Sequence, residues 1–295
     1  MTLQSARGAR GWRVGLGMWL GLMTLVACKA SAPAAQSVAR KALTDSTVVA
    51  PTAIAGVIPA ASTELVTAIL PAWDSSTATM RRYHRIPGGP WLADGDAWAA
   101  VPGSGAAWGA GLHGDGPPTG HSGGTKREGD GRSPAGAFAL TASYGYAGSP
   151  PEDATPGLPY APLTPATDCV DDSAHAAYNT IVTGPTDARS FEVMRRPDEL
   201  YRWVVFVDHN PHHTPGAGSC IFLHVWSDAA TPTVGCTAMP EPTIRALLAW
   251  LRADAHPTFV LLPRAEYVAL APVWGLPADA EAQHAAEAQH DDRPR

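Results

Sequence analysis

The sequence predicts a mainly β protein, a β-sandwich or partly closed barrel with a few peripheral helices. Three observations carry that reading. Its 29 glycines and 28 prolines are spread through the middle of the chain, where they favour strands and turns over a helical bundle. Residues 219–226 alternate in period two, with Ile221, Leu223 and Val225 on one face and Cys220, Phe222, His224 and Trp226 on the other. The clearest helical period is a single stretch, TIRALLAWLRAD at 243–254, with Ile244, Leu247, Leu248 and Leu251 on one side. At 295 residues, 45% hydrophobic and 16% charged, the chain can bury one sizeable core, and one folded domain is expected over residues 62–276. A net charge of -6 with no dense Lys/Arg cluster after the leader argues against nucleic acid as a partner.

Taken in order, Arg7, Arg10 and Arg13 precede an apolar run, Val14 to Val26, too short for a membrane span. Leu25, Val26, Ala27 and Cys28 follow. They resemble the bacterial lipobox, which implies a lipoprotein signal over 1–28, acylation of Cys28, and a membrane-anchored protein facing the periplasm in the cell envelope. An ordinary cleaved secretory signal is the alternative. Residues 29–61, rich in Ala, Ser, Thr and Pro without an aromatic residue, read as a flexible tether.

ELVTAIL at 64–70 reads as a strand and STATMRRYHR at 76–85 as a short amphipathic helix. Trp91, Trp98 and Trp108 sit among short strands and glycines; large aromatics at such spacing suit core packing, with a glycan platform as the rival reading. Residues 113–138 read as a long Gly/Pro loop whose Lys126, Arg127, Glu128 and Asp130 are candidates for a polar substrate groove. Asp171 and Asp172 are adjacent, so they point apart and cannot flank one bond; they read as caps or loop contacts leading to a strand near Ile181. Residues 191–200 suggest a short helix, and 201–210, apolar on both faces, a central strand. Asp208, His209, His212 and His213, with His224 to follow, raise a zinc hydrolase as the sharpest rival chemistry, although Pro211 suggests a hairpin loop and no ordered zinc spacing is present. Pro242 fits the first turn of the 243–254 helix. PTFVLLP at 257–263 reads as the last strand, and residues 277–295 as a disordered tail.

The chemistry concentrates in SCIFLHVWSDAATPTVGCTAM at 219–239. A strand histidine, His224, is followed by a turn that returns Cys236 behind Gly235. A cysteine attacks as thiolate, so it needs a base, and His224 is the candidate. Backbone amides around Gly235 and Thr237 are candidates to hold an oxyanion. The dipole of the helix beyond the cysteine offers a further means of lowering its pKa.

These residues, with GDGRSPAGAF at 129–138, resemble the catalytic domain of the L,D-transpeptidase (YkuD-type) family, whose members act on peptidoglycan stem peptides. The resemblance spans roughly residues 62–264. It implies Cys236 as nucleophile, His224 as base, Thr233 and Gly235 as the Ser/Thr and Gly of the turn, and Ser133, Pro134, Gly136 and Phe138 as the upstream segment; Lys126, Arg127 and Thr233 are candidates to contact substrate, and the thiol chemistry needs no cofactor or metal. Two departures stand out. The loop from His224 to Cys236 is short for the family, and Ala238 stands where an arginine is usual; Lys126, Arg127, Arg132 and Arg245 are candidates to replace it. A hydrolase using the same thioester, a carboxypeptidase or amidase, shares these residues, and a non-catalytic envelope-binding lipoprotein is the remaining alternative. With Cys28 and Cys236 assigned, Cys169 and Cys220 remain, and an oxidising compartment favours a disulfide between them.

Overall fold

A computed structural model describes residues 56–151 and 157–279. The leader with Cys28, tether residues 29–55 and the tail from 280 lie outside the described residues. The end of the expected tether belongs instead to the folded body: Ile58 is buried in the core, and the Pro59 carbonyl accepts a hydrogen bond from Arg85.

The described chain is mainly β, 33% strand and 11% helix, with a large sheet that curls into a half-barrel and two α-helices. Glu64–Leu70 (β1) is buried at every position because it is paired on both sides. Ala78–His84 (β2) runs antiparallel to it and carries Leu92–Ala93 (β3) and Trp98–Ala100 (β4). Ala106–Trp108 (β5) precedes a small hairpin, Ala110–Gly111 (β6) with Gly114–Asp115 (β7). Ser133–Gly145 (β8), 13 residues long, follows in the middle of the sheet, parallel to β5 at its start, and takes Tyr160–Pro162 (β9) at its far end. Thr167–Val170 (β10), Thr180–Thr183 (β11) and Phe191–Val193 (β12) form a separate sheet with β10 in the middle. Trp203–Val207 (β13), Phe222–Val225 (β14) and Thr237–Met239 (β15) return to the large sheet, followed by the helix Glu241–Trp250 (α1), Thr258–Pro263 (β16) and the helix Arg264–Trp274 (α2). The order across the large sheet is β15-β14-β13-β8-β16-β1-β2-β3.

Four elements differ from the sequence reading. Residues 78–84 are a strand, since pairing with β1 fixes the backbone and buries Ala78, Met80 and Tyr83. Residues 191–200 are β12 and a turn; Phe191 and Glu192 pair with β10, and Pro197 cannot continue a helix. The loop expected over 113–138 ends at Ser133, where β8 begins. The helix α2 was not expected, although Tyr267, Leu270, Ala271 and Trp274 hold helical spacing and are all buried; Pro263 before it and Pro272 inside it hide the period. The tryptophans behave as core residues: Trp108 is fully buried, and Trp91 and Trp98 pack against the core.

Strand alternation decides where the site lies. On β13 and β14, Val205, Val207 and Leu223 face the main core, where α1 contributes Ile244, Leu247 and Leu248. Val204, Cys220 and Phe222 face the other way, into a second cluster with Leu163, Cys169, Met194, Tyr201 and Cys236. The second cluster joins the small sheet to the large one, and a Cys169–Cys220 disulfide ties them covalently. The bond spans a sequence separation of 51, for which loop entropy gives about 4 kcal/mol. The Cys169→Ala/Cys220→Ala double variant is therefore expected to unfold at markedly lower denaturant than the wild type, and an unchanged midpoint contradicts a stabilising role.

Candidate active site

Cys236 sits in a turn that two hydroxyls hold. The Ser133 hydroxyl, at the start of β8, accepts from the Gly103 amide at 2.9 Å and lies 2.8 Å from the Gly235 carbonyl oxygen and 3.0 Å from that of Cys236. Thr233 Oγ1 donates to the Cys236 carbonyl at 2.6 Å and accepts from the Gly235 amide at 3.1 Å. Gly235 has φ 145°, a region that favours glycine. Gly136, at φ 143°, leaves no room for a side chain: a Cβ there would approach His113 Cε1 to 2.0 Å. The upstream segment thus presses Ser133 onto the cysteine turn.

The thiol is 5% exposed. The Phe222 amide donates to Sγ at 3.3 Å, and Sγ stands 3.5 Å from the Cys220 carbonyl oxygen, to which the thiol proton is directed. Burial pushes its pKa up to about 12. The expected lowering by a helix dipole is not realised, because β15 intervenes and α1 begins only at Glu241.

His224 lies on β14, opposite Val204 on one side and Ala238 on the other. Its Nδ1 donates to the Val225 carbonyl at 2.7 Å, which fixes the tautomer and leaves Nε2 with its lone pair. Burial lowers its pKa to about 4, so the imidazole is neutral at pH 7. His224 and Cys236 line the same hollow, but no hydrogen bond among the described residues joins them. The resting pair is a neutral thiol beside a neutral imidazole.

Three residues that sequence reasoning missed complete this hollow: Glu192, Arg196 and Tyr201. The Tyr201 ring stands edge-on to His224 at 5.0 Å, and its hydroxyl lies beside Sγ and donates to Glu192 Oε1 at 2.6 Å. Arg196 is the one arginine among the described residues that lines the hollow; Asp198 grips it through Nε at 2.9 Å and Nη2 at 2.6 Å, and Nη1 is 3.4 Å from Glu192 Oε1. It comes from the chain between β12 and β13. No local periodicity announces its position, and the Arg195-Arg196-Pro197-Asp198 charge cluster is the only signal in the sequence.

The residues expected to touch substrate divide. Lys126 lines a second hollow beyond Cys236, but its ammonium is held by Asp130 and the Arg127 carbonyl. Arg127 is exposed, and its backbone rather than its side chain joins that network. Arg132 pairs with Asp74 at 2.7 Å, and Arg245 on α1 lies over Trp203. The Thr233 hydroxyl is spent on the turn. So is the Gly235 amide, while Thr237 is paired with Leu223 in β15, so these two expected oxyanion donors serve the fold in this state. Cys220, joined to Cys169, is no rival nucleophile.

The histidine cluster does not gather as a metal site. His209 is buried with Nε2 on the Ala217 carbonyl, His213 Nδ1 binds the Tyr178 carbonyl, and among the described residues no three His, Cys, Asp or Glu side chains converge. The site that does assemble is a buried thiol, a tautomer-fixed histidine and a Tyr-Glu-Arg network around one opening. Searches against protein-family models, curated proteins and solved structures find no match to this chain.

Proposed function

We propose that this protein is a cysteine acyltransferase acting on peptidoglycan stem peptides, an L,D-transpeptidase with Cys236 as nucleophile and His224 as base. One observation carries the reading most: Cys236 and His224 open on one hollow, with His224 held by the Val225 carbonyl in the tautomer that can accept a proton at Nε2. The resemblance of the LHVW…TVGC and SPAGAF segments gives the substrate class, and the contact of Ser133 with the Cys236 turn supports it, because the two segments work on one structure.

In this reading the donor displaces the resting contacts of the thiol. The proton of Cys236 passes to His224 Nε2 as sulfur attacks the carbonyl that follows the L-centre of a diamino acid in a stem tetrapeptide. The C–N bond breaks, D-alanine leaves with the proton from His224, and a thioester remains. A second stem's side-chain amine resolves it and regenerates the thiol. Arg196, held by Asp198 and Glu192, orders the Glu192–Tyr201 network at the mouth of the hollow rather than replacing the arginine absent at Ala238 as a free cation. In this reading the chemistry takes place in the cell envelope, with the chain anchored through Cys28.

Product analysis tests the reading. The full chain, given a tetrapeptide donor and an amine-bearing stem acceptor, is expected to release D-alanine and form a crosslinked dimer. Free tripeptide as the sole product reassigns the chain as a hydrolase of the same thioester, and no product at all ends the proposal.

A further inference from the structure

Cys236 forms a wall between two hollows. His224, Arg196 and Tyr201 line one, while the other, about 490 Å³, is bounded by Ser219, Gly235, Glu128 and Asp171; Glu192 borders both. The second hollow has the size for an extended side chain. Its polar groups are unevenly spent. Lys126 is neutralised by Asp130, and Glu128 accepts from the Tyr178 hydroxyl at 2.5 Å and from Ser219 Oγ at 2.7 Å. Glu192 receives both of its partners, Tyr201 and Arg196, on Oε1. Among the described residues its Oε2 takes no hydrogen bond, and Asp171 takes none at all, with Oδ1 buried and unpartnered.

The fold places these two carboxylates together. Cys169 on β10 lies opposite Glu192 on β12, and Asp171, just past the end of β10, lines the same hollow as Glu192. The disulfide from Cys169 to Cys220 holds that face against the start of β14, next to the thiol. Burial raises the pKa of Glu192, and the Asp171 charge raises it further. Asp171 Oδ1, withdrawn from water without a donor, carries a free-energy cost that a cationic donor removes, and Glu192 Oε2 is free to share that donor. A primary ammonium fits, with three N–H donors and one charge.

We propose that this second hollow is the acceptor subsite, where Asp171 and Glu192 bind the ammonium of the incoming amine and Glu192 takes a proton from it. The inference rests on the proposed function of Cys236. At neutral pH the acceptor arrives as R-NH3+, which cannot attack. Glu192 carboxylate accepts one proton and becomes the neutral acid, leaving R-NH2. The amine nitrogen attacks the thioester carbonyl, the C–S bond breaks, and the second proton lost by nitrogen passes to sulfur and restores the thiol. Glu192 then returns its proton to solvent.

The test starts from full chain already acylated at Cys236, so that it reads only the resolving step. The acyl-enzyme is divided among water, Nα-acetyl-lysine amide as a charged amine, and hydroxylamine, which is uncharged near neutral pH. Relative to hydrolysis, aminolysis by the lysine probe is expected to fall about 10-fold in Asp171→Asn, through a higher KM for the amine. In Glu192→Gln it is expected to fall on the order of 100-fold, through the limiting rate. Hydroxylamine is expected to keep its wild-type ratio in both. An unchanged lysine-to-water ratio, or an equal fall for hydroxylamine, overturns the inference while leaving the acyl-enzyme in place. Absence of any wild-type adduct removes the proposed function and this inference with it.

Discussion

Cys236→Ala is expected to abolish release of D-alanine, a loss on the order of 10⁴-fold or more, because nothing else near the hollow can form the thioester. Stability should change little. The substitution removes one sulfur atom from the second cluster and leaves the Phe222 amide without its acceptor, a cost of about 1 kcal/mol. The resting thiol is itself unreactive: it is 5% exposed and its pKa is pushed up to about 12. Alkylation of Cys236 by iodoacetamide at pH 7 is therefore expected to be far slower than that of a free cysteine and to rise with alkaline pH. Fast alkylation at pH 7 contradicts a resting neutral thiol and indicates a preformed thiolate.

His224→Gln is expected to lower the acylation rate between about 10²-fold and 10⁴-fold, the range of a lost general base, while glutamine retains a polar side chain on β14. The variant also separates the histidine's effect on stability from its effect on rate. The folded pKa of about 4 lies below the ordinary 6.5, so the unfolded chain binds the extra proton first as pH falls. Native stability is full above pH 6.5, declines below it, and levels off below pH 4. From these two values the His224 contribution lost by pH 5 is about 2 kcal/mol. Denaturant unfolding at pH 7 and pH 5 is expected to show the wild type losing about that much more than His224→Gln. Equal losses contradict a buried neutral imidazole.

The reading of 219–226 as a two-faced strand carries over to the structure because alternation has a direct physical consequence: Leu223 enters one core and Phe222 the other, with His224 left at the rim. The 243–254 helix and the pairing of Cys169 with Cys220 were legible for similar reasons, one through periodicity and the other through elimination among four cysteines. Periodicity misled at 78–84, where a seven-residue run is too short to separate 2 from 3.6, and it was masked by prolines at 264–274. The site was half legible. Cys236, His224 and Ser133 carry local motifs, whereas Glu192 reaches the hollow because the disulfide ties the small sheet to the start of β14, and Arg196 and Tyr201 because the link from β12 leads into β13 beside His224. That docking is long-range, and no spacing along the chain encodes it.

The most direct test of the central claim is intact-mass spectrometry with peptide mapping of the full chain after incubation with a tetrapeptide donor, beside Cys236→Ala. The account predicts an added mass equal to the donor less D-alanine, located on the peptide containing Cys236 and absent from the variant. A folded wild-type chain that gains no mass, or an adduct that persists in Cys236→Ala, contradicts it.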